Sequence, residues 1–271
     1  MLLTNSIITE LHTMELREFA LQILTSEDID TKLYTPDRLT DLFPGEAFSI
    51  DSPCRSIDMQ FKRHHKEEKL PTFKDHHTQE KRAICLHRFC GHELLAVEIM
   101  AYALLKFPDA PKPFRKGLAN TLIEEQHHVR IYRKRLEEMG LKFGELPLYK
   151  HFWKHIPYLT SIENYLSMMS LTFEMANLDF APLYRDSFLR HNDVDSANLM
   201  QKIIDDEIGH VSFGVSWMHR MNKENKDPFL FYKENLPPLL DPKRAKGFVF
   251  QTDLRKKAQV PNEWIEGLKN L

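Results

Sequence analysis

Twice the chain carries the same short pattern, acid-Glu-x-x-His-Val, at residues 124–129 (EEQHHV) and 206–211 (DEIGHV). Each copy sits in a long stretch with apolar residues at helical spacing. On a helix, residues three apart share one face about a turn apart, so Glu125 with His128, and Glu207 with His210, can each reach one metal region. One such pair says little, because about one Glu-x-x-His is expected by chance in a chain this rich in Glu and His. Three occur, counting Glu124/His127, and the bland reading of any one alone is a solvated helix face.

The other two helical stretches change that balance. SLTFEMANLDFA sets Glu174 between Phe173 and Met175, and HELLAVEIMA places Glu93 and Glu98 in an apolar run. A carboxylate buried alone is expensive and calls for a partner or a metal. Two-metal carboxylate bundles take one Glu from each of two helices and a Glu-x-x-His from each of the other two. Glu174 precedes Glu207 by 33 residues and Glu93 precedes Glu125 by 32, so the chain reads as two copies of one helical hairpin with acids at matching depth. The alignment selects Glu125/His128 over Glu124/His127. It also puts Glu124 and Asp206 in equivalent positions, suited to hydrogen-bond a ligand histidine from outside the metal shell. On the first helix Glu93 is preferred, with Glu98, rotated by roughly 140°, as an extra or substitute ligand.

The surrounding chain fits an all-α, ferritin-like four-helix bundle with one long crossover. A proline-free run from about Lys81 ends at FPDAP; a second helix from about Phe114 ends near Gly140; a third spans about 162–189 and a fourth about 197–221. A connector holding Gly144, Pro147 and Pro157 is long enough to cross the bundle between the pairs. Residues 1–80 read as a helix near 14–24 followed by a mostly extended wrap; 81–222 as the bundle; and 223–271 as an extension packed outside it, with one short helix near the end. Scarce glycine (9) and 28% charged residues favour helices. A net charge of -2 points to no nucleic-acid or anionic-membrane partner. No stretch is long and apolar enough to span a bilayer, no signal peptide is seen, and Cys54, Cys85 and Cys90 read as free thiols, so a cytoplasmic location is expected.

Four carboxylates and two neutral imidazoles balance two divalent ions. Oxygen and imidazole donors without thiolate suit iron or manganese: two Fe ions, or Mn/Fe or Mn/Mn. HELLAVEIMA, EEQHHVRIY, SLTFEMANLDFAPLY and DDEIGHVSFG together resemble the ferritin-like superfamily, and within it an uncharacterised bacterial ferritin-like family of unknown function. The resemblance spans roughly residues 14–222. That family usually has His-His-Glu-Leu before the first ligand, where this chain has Gly91-His92-Glu93-Leu94. The resemblance implies the fold and a metal site but no reaction. A more distant superfamily member hydroxylates modified tRNA, an analogy that keeps tRNA in view as a partner.

Other candidates are discounted. His64/His65 and His76/His77 lie in polar sequence and read as solvated. His92 points about 100° away from Glu93. Tyr102, Phe173, Phe180 and Phe213 read as core, whereas Tyr132, one turn after His128, is the pocket candidate. Asp179 reads as a satisfied packing acid, and the lysines near Lys243 and Lys256 as solvated. The leading expectation is a di-iron oxidoreductase that activates dioxygen to oxidise a small organic substrate, as a monomer or small homo-oligomer. The alternatives are iron handling or peroxide scavenging without an organic substrate, and a purely structural polar core.

Overall fold

The computed structural model describes residues 12–62 and 68–271, so His64 and His65 lie outside the described residues. The chain enters through strand β1 (Thr13–Glu15), which leads directly into α1 (Leu16–Thr25). A single-turn helix α2 (Ile29–Lys32), capped by the Asp28 side chain, and strand β2 (Arg38–Thr40) follow, and β2 pairs in parallel with β1. α1 buries Leu16, Phe19, Ala20, Ile23 and Leu24, an apolar stripe at three-to-four spacing, against the first bundle helix.

Four rods make the bundle. α3 (Gln79–Lys106) starts at Thr78, whose hydroxyl accepts from the Lys81 amide, and α4 (Lys112–Glu138) starts behind Pro111. The link between this pair and the next runs from Met139 to Ser161 and includes a 3-10 turn at Trp153–Tyr158. The third rod is not one uninterrupted α-helix. α5 (Ile162–Met168) passes into a π-helical turn at Met169–Glu174 and then α6 (Met175–Arg190). The fourth rod, α7 (Val194–Met221), is capped by Asp193. α3 packs chiefly on α4, α6 on α7, and α4 meets α7 along the middle. The result is an all-α bundle.

Both flanking segments are tied to the bundle by buried charges. Glu98 receives Lys32 at 3.1 Å and Arg55 at 2.6 Å, all three fully buried. Gln126 accepts from the Thr35 hydroxyl and donates to the Lys32 carbonyl. Beyond α7 lie three helices the sequence left largely unread: α8 (Pro228–Glu234) and α9 (Thr252–Lys257) fold back on the third and fourth rods, and α10 (Asn262–Lys269) packs on α8 and α9; only the last matches the anticipated terminal helix. Asp179 holds them: it accepts two bonds from Arg255, at 2.6 and 2.8 Å, and the amides of Gly247 and Gln251.

Candidate metal centre

Six side chains from the four rods meet in the bundle interior. Glu93 (α3), Glu125 and His128 (α4), Glu174 (at the end of the π turn), and Glu207 and His210 (α7) are each no more than 6% exposed. Two groups have donor atoms close enough to hold one ion each: Glu93, Glu125 and His128; and Glu125, Glu174 and His210. Glu125 belongs to both, the arrangement expected of a bridging carboxylate.

The two histidines are oriented alike. His128 turns Nδ1 inward, 3.2 Å from Glu125 and 4.0 Å from Glu93, and His210 turns Nδ1 inward, 3.0 Å from Glu125 and 3.6 Å from Glu207. Each ties its outer Nε2 to an acid on the opposite helix. His128 pairs with Asp206 at 2.9 Å and His210 with Glu124 at 2.8 Å. Sequence alone put both acids within reach of a ligand histidine without saying which; the exchange between α4 and α7 requires the two helices side by side. With the Nε2 proton donated to a carboxylate, an imidazole in its neutral form turns the Nδ1 lone pair inward, the tautomer a metal ligand needs. Lys202 pairs with Asp206 and keeps it charged.

The cluster leaves several buried polar atoms unpartnered. Both oxygens of Glu174, Glu125 Oε1, Glu207 Oε2 and His210 Nδ1 are buried without a hydrogen-bond partner among the described residues. Glu125 Oε1 and His210 Nδ1 are near enough for an ion pair but off hydrogen-bond geometry. Unsatisfied buried carboxylates of this number are rare in stable interiors. Their positions and donor types fit two divalent cations.

Protonation offsets part of this deficit. Burial, then repulsion from Glu125, pushes the Glu93 carboxyl well up. Burial, reinforced by Glu207 and Glu125 against the pull of His210, takes Glu174 up to about 8. Burial works against charge on His128 and His210, yet the surrounding carboxylates outweigh it, taking His128 up to about 9 and His210 well above the ordinary range. Glu125, also buried, is driven the other way by the two imidazoles and stays ionised. Protons thus occupy the cluster where cations would.

Glu98, the substitute considered on the first rod, is turned to Lys32 and Arg55 rather than to this cluster. His127 is exposed, and Asp179 is the anchor of the C-terminal segment. His77 is exposed, but His76 is a correction to the sequence reading. It is fully buried, bonded to Ser187 at 2.9 Å and stacked on Tyr184 and Phe188, because the turn before α3 folds it against α6. Two residues near the cluster went unread. Asn177 donates to Glu207 at 2.8 Å, and its place three after Glu174 was a usable signal. Tyr165 is buried close enough to Glu174 and Glu125 that, after burial itself, their charge raises its phenol; its hydroxyl has no partner among the described residues.

The π turn also escaped the sequence. Its extra residue per turn resets the phase of the rod just before Glu174. The Thr172 hydroxyl bonds the Ser167 carbonyl at 2.7 Å and Tyr232 of α8 at 2.8 Å, so the C-terminal segment buttresses the turn. α7 passes it at Gly214, where a Cβ would stand 2.5 Å from that of Ser170, so only glycine permits the approach.

A cavity of 40 Å³ opens beside the cluster, with Glu93 in its wall among Phe89, Tyr132, Phe180, Tyr184 and Met200. The Tyr132 hydroxyl contacts the Met200 sulfur at 3.5 Å, and burial with the nearby acids pushes its phenol well up.

Residues 17–266 match the family described as "Protein of unknown function (DUF455)". The chain belongs to this family. A Haemophilus influenzae protein described as "Uncharacterized protein" is 24% identical over 155 residues, 54% of this chain and 54% of that protein, so the chain spans about half the length of that curated relative. No solved structure matches the chain significantly.

Proposed function

We propose that the cluster binds two iron or manganese ions and that the protein is a non-haem oxidoreductase that uses dioxygen to oxidise or hydroxylate a small organic substrate. The observation that carries this reading is the pair of buried triads sharing Glu125, next to a cavity that reaches Glu93. Glu93, Glu125 and His128 would hold one ion and Glu125, Glu174 and His210 the other, with Glu207 completing the set. Two redox-active ions so held supply oxygen activation, chemistry that no side chain provides.

The chain's own residues do the rest. Asp206 and Glu124 fix the histidine rings by accepting at Nε2. Asn177 holds one oxygen of Glu207 and leaves the other turned toward the cluster. The apolar packing of the four rods excludes water, and Tyr132, in the cavity wall with Glu93, is the group able to hold or pass a proton at its hydroxyl oxygen. A second reading, peroxide scavenging, draws on the small size of the cavity.

Anaerobic loading with ferrous iron, followed by exposure to oxygen, tests the proposal. Elemental analysis near two irons per chain and a Mössbauer spectrum of coupled ferric ions support it. Metal content below about one ion per two chains overturns it. Hydrogen peroxide consumption faster than dioxygen consumption favours the second reading.

A further inference from the structure

The lining of the cavity says what kind of molecule it admits. Among the described residues it contains no Lys or Arg. Apart from Glu93, its polar groups are Asn177, His92 and the two tyrosines, and Asn177 is engaged with Glu207. Such a wall offers no Lys or Arg to compensate a phosphate or carboxylate, and desolvating one against its apolar rings would be costly. At 40 Å³ the space exceeds the volume a water needs but is far below the roughly 150 Å³ that takes a benzene ring. Its lining includes Ala181, on α6 and buried, where a larger side chain would compete for the void.

Phe180 is a half-buried part of the cavity wall, and here the C-terminal segment contributes. Phe248 meets Phe180 edge to face at 5.5 Å, while 86% of its own surface stays exposed. Val249 beside it is also exposed. Phe248 is held there because the Gly247 amide is bonded to Asp179, the residue before Phe180, and because Gly247 lies so close that a Cβ would come within 2.8 Å of the Asp179 Cβ. Glycine at 247 thus seats the loop directly on α6. An apolar track runs from the exposed Phe248 over Phe180 to the wall that contains Glu93.

We infer that the cavity takes the uncharged, apolar end of a substrate, a short alkyl group on a larger neutral molecule that lies along Phe248 and Phe180, and that Ala181 sets its size. This deepens the oxidoreductase reading and rests on it for the chemistry, but the binding can be tested without any metal. The full-length protein, labelled at its methionine methyl groups with carbon-13, is titrated with 1-alkanols of increasing length and with hexanoate. The Met200 methyl signal, assigned by its loss in Met200→Leu, reports occupancy because Met200 lines the cavity.

The alkanols are expected to shift Met200 saturably, each added methylene tightening binding about fourfold until the cavity is full. Hexanoate is expected to bind at least about tenfold more weakly than 1-hexanol. Ala181→Leu should abolish the shift. Phe180→Ala, which enlarges the cavity by trimming its wall and guards against a misfolded Ala181→Leu, should move the length optimum to longer alkanols. Equal affinity for hexanoate and hexanol overturns the inference. So do a Met200 signal unmoved by any alkanol and a length optimum unchanged in Phe180→Ala. Iron content is measured on the same preparation. Protein that binds hexanol but takes up no iron refutes the di-metal reading alone, and protein that loads iron but ignores the alkanols refutes this inference alone.

Discussion

Metal loading should release protons and raise the melting temperature, and both magnitudes follow from the cluster. At pH 7 two of its groups carry a proton: Glu174, taken up to about 8 by burial and by neighbouring carboxylates, and His128, taken up to about 9 by those carboxylates against burial; Glu93 and His210 are shifted the same way. None can ligate a cation while it holds that proton, so filling both triads should expel at least about two protons. For stability, free metal at a thousand times its dissociation constant contributes about 4 kcal/mol. An unfolding entropy of about 2.1 cal/mol/K per residue over 271 residues converts this to a rise of roughly 7 °C, taking the chain to unfold as one unit. Calorimetric titration with anaerobic Fe(II) or Mn(II), in two buffers of different ionisation enthalpy, counts the protons, and scanning calorimetry reads the shift. Binding with fewer than about one proton released per chain, or saturation with no rise in melting temperature, would refute this account of the cluster.

Further substitutions separate the roles assigned above. Glu125→Gln should abolish binding at both triads, because Glu125 belongs to each, which elemental analysis would read directly. Asp206→Asn should weaken metal affinity about 10–100-fold while His128 stays in place, measured by competition with a chelator. Glu98→Gln should leave metal content unchanged but cost about 3–5 kcal/mol, because it strands Lys32 and Arg55 as buried cations; a normal urea midpoint, or lost metal, would contradict that separation. Burial, aided by Arg88, holds His87 down at about 4, where its neutral Nε2 accepts from the amides of Gly144 and Leu146. Because the folded value lies below the unfolded one of about 6.5, this contribution is complete above that pH and is lost as pH falls toward 4; at pH 5 the loss is about 2 kcal/mol, and His87→Gln should flatten that part of the urea-midpoint profile.

The helical hairpins and the Glu-x-x-His pairs were legible because they are local: a three-residue spacing on a helix fixes which side chains share a face, whatever else the chain does. The long apolar runs announced the rods, and acids embedded in them announced a polar interior. The choice between Glu93 and Glu98 was open because both sit in the same apolar run; it turns on Lys32 and Arg55, which arrive from a segment that reads as an irregular wrap. His76 read as solvated because its neighbours in sequence are charged, but its neighbours in space are Ser187, Tyr184 and Phe188.

By itself, then, the sequence determined the four rods and which face of each carries its acids, since both follow from periodicity along one helix. Only the tertiary structure decided the exchange of Asp206 and Glu124 between helices, the π turn that sets Glu174, and the apolar track through Phe180 and Phe248. Each depends on contacts between residues far apart in the chain, such as Thr172 with Tyr232 or Asp179 with Gly247, whose meeting no local pattern encodes.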